Sequence, residues 1–435
     1  MQKVDQPGST LVEKVIARAA GAERVRPGDV VTARVDLAFA HDSSGPRRWR
    51  PYLEELGVGL WDRSKVVIVS DHYVPASDPD AAAILQDVRR FVKDYAVEHF
   101  FDMVGICHLV LPERGLIRPG AFIAGGDSHT PMAGAFGAYA TGYGATDMAA
   151  IVATGETWLS VPATIRVDLT GMPRLGTTAK DTMLELARRL GADNAFKAVE
   201  FAGPAIESLS MAERMVLCNM AAELGAETGV VAPDAITAAH LRAVGAPLED
   251  EAAAFGWRSD IDATYESVHV LDLSALEPQI AAPHAPQNSG PVHMHAGVRI
   301  DQAYIGACVG AKIEDLRMVA EVLAGRHVAA GVRLLIAPAS ARTTAAAAEE
   351  GVLQTLLQAG AILLPSGCGA CAGMGAGLLA DGEVCISSTN RNFKGRMGHA
   401  GARVYLGSPY SVAAAAVAGY ITDPRALLDE NEVSA

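Results

Sequence analysis

Aromatic side chains make up only 6% of this 435-residue chain, and tryptophan occurs 4 times. A core built on large rings is excluded, so small and aliphatic residues must carry the packing. Basic charge is in deficit: 36 Lys and Arg stand against 50 Asp and Glu, a formal net charge of −14. A nucleic-acid binder shows a net basic domain or stripe. None is visible, so nucleic acid is not an expected partner. No apolar stretch reaches membrane-spanning length; the most apolar late run, Val412–Ile421, is Ala-rich and far too short. The opening segment Met1–Thr10 is polar and has no apolar core, which excludes a secretory signal there. Cysteine is also scarce, 6 in all with one Cys-x-x-Cys pair. Without an export signal, metal or redox use outranks a disulfide framework. These absences predict a cytoplasmic protein with no membrane partner.

Half of the chain is apolar and 43 residues are glycine. That length exceeds one core, so more than one domain is expected. One theme recurs: a short β-branched or aliphatic run ends in a Gly-rich or polar turn, and a helical pattern follows. Lys65–Val69 leads to Asp71-His72, and Ala121–Ala124 to Gly126-Asp127-Ser128-His129. Tyr304-Ile305 leads to Cys308, Val332–Ile336 to Ser340, Ala361–Leu364 to Cys368, and Val384–Ile386 to Asn390-Arg391. Continuous apolar strands are buried on both faces, which implies parallel sheets covered by helices, an α/β class. Ligands in such sheets sit beyond the carboxyl ends of strands, where every one of these polar motifs falls. Helical periodicity covers Asp181–Leu190, Met211–Leu224, Leu316–Leu323 and Thr343–Leu357. Ala281–Pro291, with three prolines and no periodicity, reads as the main linker. A softer boundary lies near Pro162, where a new strand, Thr164–Leu169, is expected to begin after a helix. Domains are thus expected at residues 1–162, 163–283 and 284–435.

Cys368-Gly-Ala-Cys371 places two thiols on a tight turn, and Cys308 sits on another strand-end turn. Three thiolates hold a cubane cluster with one iron left free of protein ligand, which suits Lewis-acid chemistry; four thiolates close it for electron transfer. A zinc site is the competing reading, although no fourth ligand has clear spacing. Buried inert thiols are another, and that reading suits Cys107, Cys218 and Cys385. Of 12 histidines, His72, His108 and His129 stand in polar turn contexts, two of them beside Asp71 and Asp127. A carboxylate fixes the imidazole tautomer and raises its basicity, as a general acid requires. A single histidine is as commonly structural, and adjacency in sequence is not contact. His293 and His295 read as solvent-exposed. Asn219 and Glu223 share a helix face among apolar neighbours, and a buried Glu needs a partner. Arg391, Lys394 and Arg396 concentrate positive charge after a strand in an acidic chain, which points to a carboxylate-binding loop.

Taken together, Asp71-His72, Gly105-Ile106-Cys107-His108, Gly126-Asp127-Ser128-His129-Thr130, Cys218-Asn219-Met220 with Glu223, Cys308, Cys368-x-x-Cys371 and Asn390-Arg391-Asn392-Phe393 with Gly395-Arg396 resemble the aconitase superfamily. The resemblance runs from about residue 11 to about residue 424. Gly395-Arg396-Met397-Gly398-His399 and Val404–Pro409 look like the branch of 3-isopropylmalate dehydratase and homoaconitase large subunits. It implies an aconitase-like core of three domains, lacking the swivelling fourth domain. It also implies a 4Fe-4S cluster on Cys308, Cys368 and Cys371, and a hydro-lyase acting on a small hydroxy-polycarboxylate. By the same resemblance, His72 with Asp71 would protonate the leaving hydroxyl. His108 with Glu223, and His129 with Asp127, would orient water and substrate oxygens. Ser128, Asn219, Arg391 and Arg396 would hold substrate or support the pocket. The base would be a serine on the swivelling domain of a separate small subunit. Val309-Gly310 and Ala370 depart from the family pattern beside the cluster, so a specialised dehydratase, such as a 2,3-dimethylmalate type, competes on substrate. A non-catalytic iron sensor binding RNA is another alternative, opposed by the acidic charge.

Overall fold

The computed structural model describes residues 7–428; the extremes of the polar opening segment and of the closing Ile421–Ala435 stretch lie outside them. The apolar runs become short strands in parallel register. Val66–Ser70, buried along its whole length, pairs with Leu37–His41 on one side and His99–Asp102 on the other. With Phe122–Gly125 and Tyr139–Gly142 these form a five-stranded, all-parallel sheet. A four-stranded parallel sheet follows, ordered Thr228–Val231, Lys197–Ala202, Ala163–Thr170, Ser267–Asp272. The third sheet has seven strands, and its centre (Arg403–Leu406, Val384–Ser387, Gln302–Ile305, Arg333–Ile336, Ile362–Leu363) is parallel throughout. A two-stranded antiparallel pair, Val30–Arg34 with Glu156–Ser160, completes the set, so a strand rather than a helix directly precedes the Pro162 boundary.

Helices begin where the local chemistry allows. Thr178 accepts from the first turn of Ala179–Leu190 while Asp181 reaches back, and Arg188 and Arg189 sit in the last turn, complementing the helix dipole. Ser210 and Glu213 do the same for Met211–Asn219. The single helical pattern Thr343–Leu357 is two helices, Ala341–Glu349 and Val352–Gln358, because Gly351 adopts φ 75° between them.

Ala281–Pro291 is not a linker. Gln279–Ala281 and Ser289–Pro291 pair antiparallel as a hairpin on the edge of the seven-stranded sheet. Pro283 and Pro286 fall in its turn and Pro291 at a strand end, where proline's missing N–H disrupts no ladder. Asn392 Nδ2 ties the turn down by donating to Ala282 O at 2.8 Å.

The largest buried apolar cluster runs from Leu37 to Leu428 and draws on all three larger sheets. The first and third sheets meet through Ile106 N–H, which donates to Ala339 O at 2.9 Å, and Cys368 N–H, which donates to Asp71 O at 2.8 Å. No helix among the described residues is long and apolar enough to cross a membrane.

Candidate active site

Four loops leaving the five-stranded sheet converge. Asp71 is fully buried; its Oδ1 lies 2.6 Å from His72 Nδ1, and its Oδ2 accepts from Cys107 N–H at 2.7 Å. Burial opposes a charge on His72, but the carboxylates of Asp71, Asp42 and Asp127 outweigh it and lift the imidazole to about 9. Asp42 holds the turn itself, accepting from the N–H groups of His72 at 3.0 Å and Tyr73 at 2.8 Å.

Asp127 is the second hub. Its Oδ1 lies 2.8 Å from His108 Nε2 and accepts from His129 N–H at 2.7 Å, while Oδ2 lies 3.2 Å from His41 Nε2. Burial works against its charge, yet the surrounding histidines, His108 foremost, hold its carboxyl well below the ordinary range. Glu223 arrives from the second sheet's side, 2.9 Å from His129 Nε2. Burial disfavours its charge too, but His129 and Arg391 keep its carboxyl below the usual carboxylate range.

The expected pairing of His108 with Glu223 is therefore corrected, whereas His129 does meet Asp127, its Nδ1 lying 3.5 Å from Asp127 Oδ1, and adds Glu223 as its closer ring partner. His108 pairs with Asp127, because the helix Cys107–Glu113 runs beside the strand end that carries Asp127. The His129 ring is turned toward Glu223, with Asp127 engaging mainly its backbone. His41 was missed: its ring stacks on His72 with centroids 3.8 Å apart. The signal was present, since Leu37–His41 is one more apolar strand running into a polar turn, Asp42-Ser43-Ser44.

The seven-stranded sheet supplies the thiols. Cys308 and Cys371 are buried and Cys368 is half-buried, all three on loops after its strands, and none forms a disulfide. Ala307, at φ 68°, and Gly306, whose added Cβ would lie 2.2 Å from the Tyr304 ring, shape the Cys308 turn. Asn219 Nδ2 donates to Cys308 Sγ at 3.2 Å, and Asn390 Nδ2 to Asn219 Oδ1 at 2.6 Å. Burial, then the charge of Cys371, pushes the Cys308 thiol up to about 12. Three thiols, two buried and one half-buried, that repel one another once ionised match the donor set of a cationic iron–sulfur group. His108 Nδ1, buried with no hydrogen-bond partner among the described residues, is a further donor or acceptor awaiting a ligand. Cys218 and Cys385 lie apart in apolar surroundings, as expected; Cys107 is closer, since Asp71, Asp127 and Cys368 act on its thiol.

Arg391 Nε reaches both Glu223 oxygens, at 2.9 and 3.0 Å, and its Nη1 donates to Ser128 Oγ at 2.9 Å. Arg396 Nε braces the Cys368–Cys371 turn by donating to Cys371 O at 2.8 Å, while Lys394 is exposed. Lys180 was also missed. It is 2% exposed and its Nζ donates to Thr389 O at 2.5 Å; burial pushes its ammonium down to about 8. The departures from the family pattern pack inward: Val309 is buried, an added Cβ at Gly310 would lie 2.3 Å from Ser388 Oγ, and Ala370 sits in the Tyr304 cluster. His293 is exposed, as expected, whereas His295 is half-buried against Tyr405.

Residues 61–299 and 292–419 match the model of the Aconitase family (aconitate hydratase). The chain is 46% identical over 428 residues to 3-isopropylmalate dehydratase large subunit 1 of Methanopyrus kandleri, covering 97% of this chain and 100% of that one. It is 43% identical over 423 residues to the same-named subunit of Pyrococcus furiosus, covering 96% and 98%. It is 42% identical over 420 residues to the methanogen homoaconitase large subunit of Methanocaldococcus jannaschii, covering 95% and 99%. Among solved structures, holo aconitase X of Thermococcus kodakaraensis aligns with TM-score 0.47 at 15% identity, covering 88% of this chain and 89% of that one.

Proposed function

The chain belongs to the aconitase family of hydro-lyases, and from that premise we propose that it is the cluster-carrying large subunit of a 3-isopropylmalate dehydratase-type enzyme. The observation that carries this reading is the junction of two sheets at one point. Half-buried Cys368 lies against the Asp71–His72 pair, its N–H donating to Asp71 O at 2.8 Å, and the buried Cys308 and Cys371 act on its thiol. The substrate is a small hydroxy-di- or tricarboxylate, for which the Arg391 guanidinium beside Ser128, in an otherwise acidic chain, is suited. 3-Isopropylmalate is the first candidate. A homoaconitase substrate is the second reading, favoured by the 42% identity to such a subunit. The enzyme works in the cytoplasm and takes a small subunit as its partner, as the relatives' designation "large subunit" supports.

When bound to the three thiolates, a 4Fe-4S cluster supplies a Lewis-acidic iron free of protein ligand. The chain's own groups do the rest. Asp71 holds His72 by Nδ1, so Nε2 carries the proton that is given to the departing hydroxyl. Asp127 fixes His108 through Nε2 and leaves Nδ1 for an oxygen of substrate or water. Glu223 orients His129 and sets the plane of Arg391, whose other N–H groups take a carboxylate beside Ser128. Asn219 supports Cys308, and Arg396 steadies the turn of Cys371. The base that removes the carbon-bound proton is a serine of the small subunit's swivelling domain. Return of water to the adjacent carbon gives the isomer, with no net electron transfer.

Anaerobic reconstitution with iron and sulfide tests this reading. The wild-type chain is expected to turn brown and, with its small subunit, to dehydrate a member of a 2- and 3-hydroxydiacid panel, read as alkene absorbance. Cys371→Ser is expected to lose both properties. A variant that keeps colour and turnover overturns the ligand assignment, and stoichiometric zinc without a chromophore would replace it with a structural zinc site.

A further inference from the structure

Lys180 stands at the start of the helix Ala179–Leu190, yet its side chain is 2% exposed. It crosses from the second sheet's helices to the turn after Val384–Ser387, donating from Nζ to Thr389 O at 2.5 Å and Ser388 O at 3.5 Å. Both acceptors are neutral carbonyls. A buried ammonium needs negative charge nearby, and four groups act on this one: Glu223, Cys371, Cys308 and Asp181. Glu223 is already engaged by Arg391 and His129. Asp181 is turned to backbone N–H groups, accepting from Gln279 and Thr178 at 2.8 Å each. Cys308 and Cys371 are what remains, and the backbone brings the lysine to them: Thr389, which it holds, is followed by Asn390, whose Nδ2 lies 3.7 Å from Cys308 Sγ.

We infer that Lys180 is the fixed counter-charge of Cys308 and Cys371, a positioning residue that offsets their thiolates and tunes the cluster they help to hold. The inference rests on the cluster reading above. Its logic is reciprocal: the thiolates need a cation besides the iron, and a buried cation whose neighbouring carboxylates are already engaged needs the thiolates. The same ammonium pins Ser388 and Thr389, directly ahead of Asn390 and Arg391, so it joins the electrostatics of the cluster to the placement of the carboxylate grip.

A buried positive charge favours the reduced, more negative cluster. Removing it is expected to lower the reduced-to-oxidised ratio at a set potential about tenfold, a shift of about 59 mV to more negative midpoint for one electron. The experiment is an EPR-monitored redox titration of the reconstituted chain, with the rate of iron loss under air as a second readout. Lys180→Met and Lys180→Gln are expected to shift the midpoint and lose iron faster, and Lys180→Arg to restore both toward wild type. Lys180→Gln keeps an N–H donor to Thr389, so it separates charge from a merely structural strut and stands in should the Met variant not fold. A Gln variant with wild-type midpoint and iron retention overturns the inference while leaving the cluster reading intact. A wild-type chain that takes up no cluster overturns both.

Discussion

His72 is a buried imidazole kept charged by its neighbours, and the pH dependence of the enzyme follows. Burial alone would lower its value below the ordinary 6.5 or so. Asp71 at 2.6 Å, with Asp42 and Asp127 behind it, reverses the sign and lifts it to about 9. The folded value lies above the unfolded one. The stability this group contributes is therefore fully present below the unfolded value and is lost as pH rises through about 9. The acid form disappears over the same window. We expect kcat/KM of the assembled enzyme to fall about tenfold per pH unit above a limb near pH 9, and His72→Asn to be nearly inactive without that limb. A limb near the ordinary imidazole value would sink the assignment of His72 as acid. His72 and His129 were legible because each follows an apolar run, and His108 because of its polar turn context. Their partners were not, because Glu223 reaches His129 only through the approach of a different sheet's helices. His41 carried the same strand-end mark and could have been found. Lys180 could not, since on a helical wheel it is an ordinary first-turn residue and only the packing of two sheets' elements buries it.

Elements follow local chemistry where one side chain serves two ends, and the joint of Arg214 with Asp234 is such a place. Asp234 caps the helix Ala235–Ala243, accepting from Ile236 N–H at 2.9 Å, and its two oxygens each take an Arg214 nitrogen at 2.7 Å. Arg214 lies on the helix Met211–Asn219 that delivers Asn219 to Cys308, and it is 0% exposed. Asp234→Ala removes a cap, costing about 1 kcal/mol, and leaves a buried guanidinium unpaired, at roughly 3 kcal/mol. Asp234→Asn keeps the cap and isolates the second effect. We expect the urea midpoint to drop for both variants with little change in slope, Ala more than Asn; an Asn variant as stable as wild type would refute the role of the ion pair. Amphipathic periodicity made these helices readable from sequence, and the capping boxes at Thr178–Asp181 and Ser210–Glu213 fix where they start. The hairpin at Gln279–Pro291 was not readable. Its prolines and polar turn mimic a linker, and what makes it sheet is the neighbouring strand Arg403–Leu406, which no local pattern reveals.

Across the molecule, the α/β class followed from fully apolar strands ending in polar turns, and the parallel registers bear that out. What composition could not supply is which sheets face each other. The site exists because the carboxyl ends of the five- and seven-stranded sheets meet at Asp71 and Cys368, with Asn219 and Glu223 inserted from the second sheet's side. The constellation at this junction is one-sided. On the proposed reading it offers an acid in His72, orienting imidazoles in His108 and His129, a carboxylate grip in Arg391 and a thiol trio, and each of these imidazoles is tied to a carboxylate. A hydro-lyase also needs a group that removes a carbon-bound proton, and a positioned base contributes about two to four orders of magnitude. On the two-subunit reading that group comes from outside the chain. The reconstituted chain alone is therefore expected to bind its cluster normally yet turn over at least about a hundredfold more slowly than the pair. Titration with the small subunit should raise the rate to a plateau at a fixed stoichiometry, without changing the cluster's absorbance per chain. Full turnover by the chain alone would mean that the base is already present, and the two-subunit assignment would fall while the ligand and acid assignments stood.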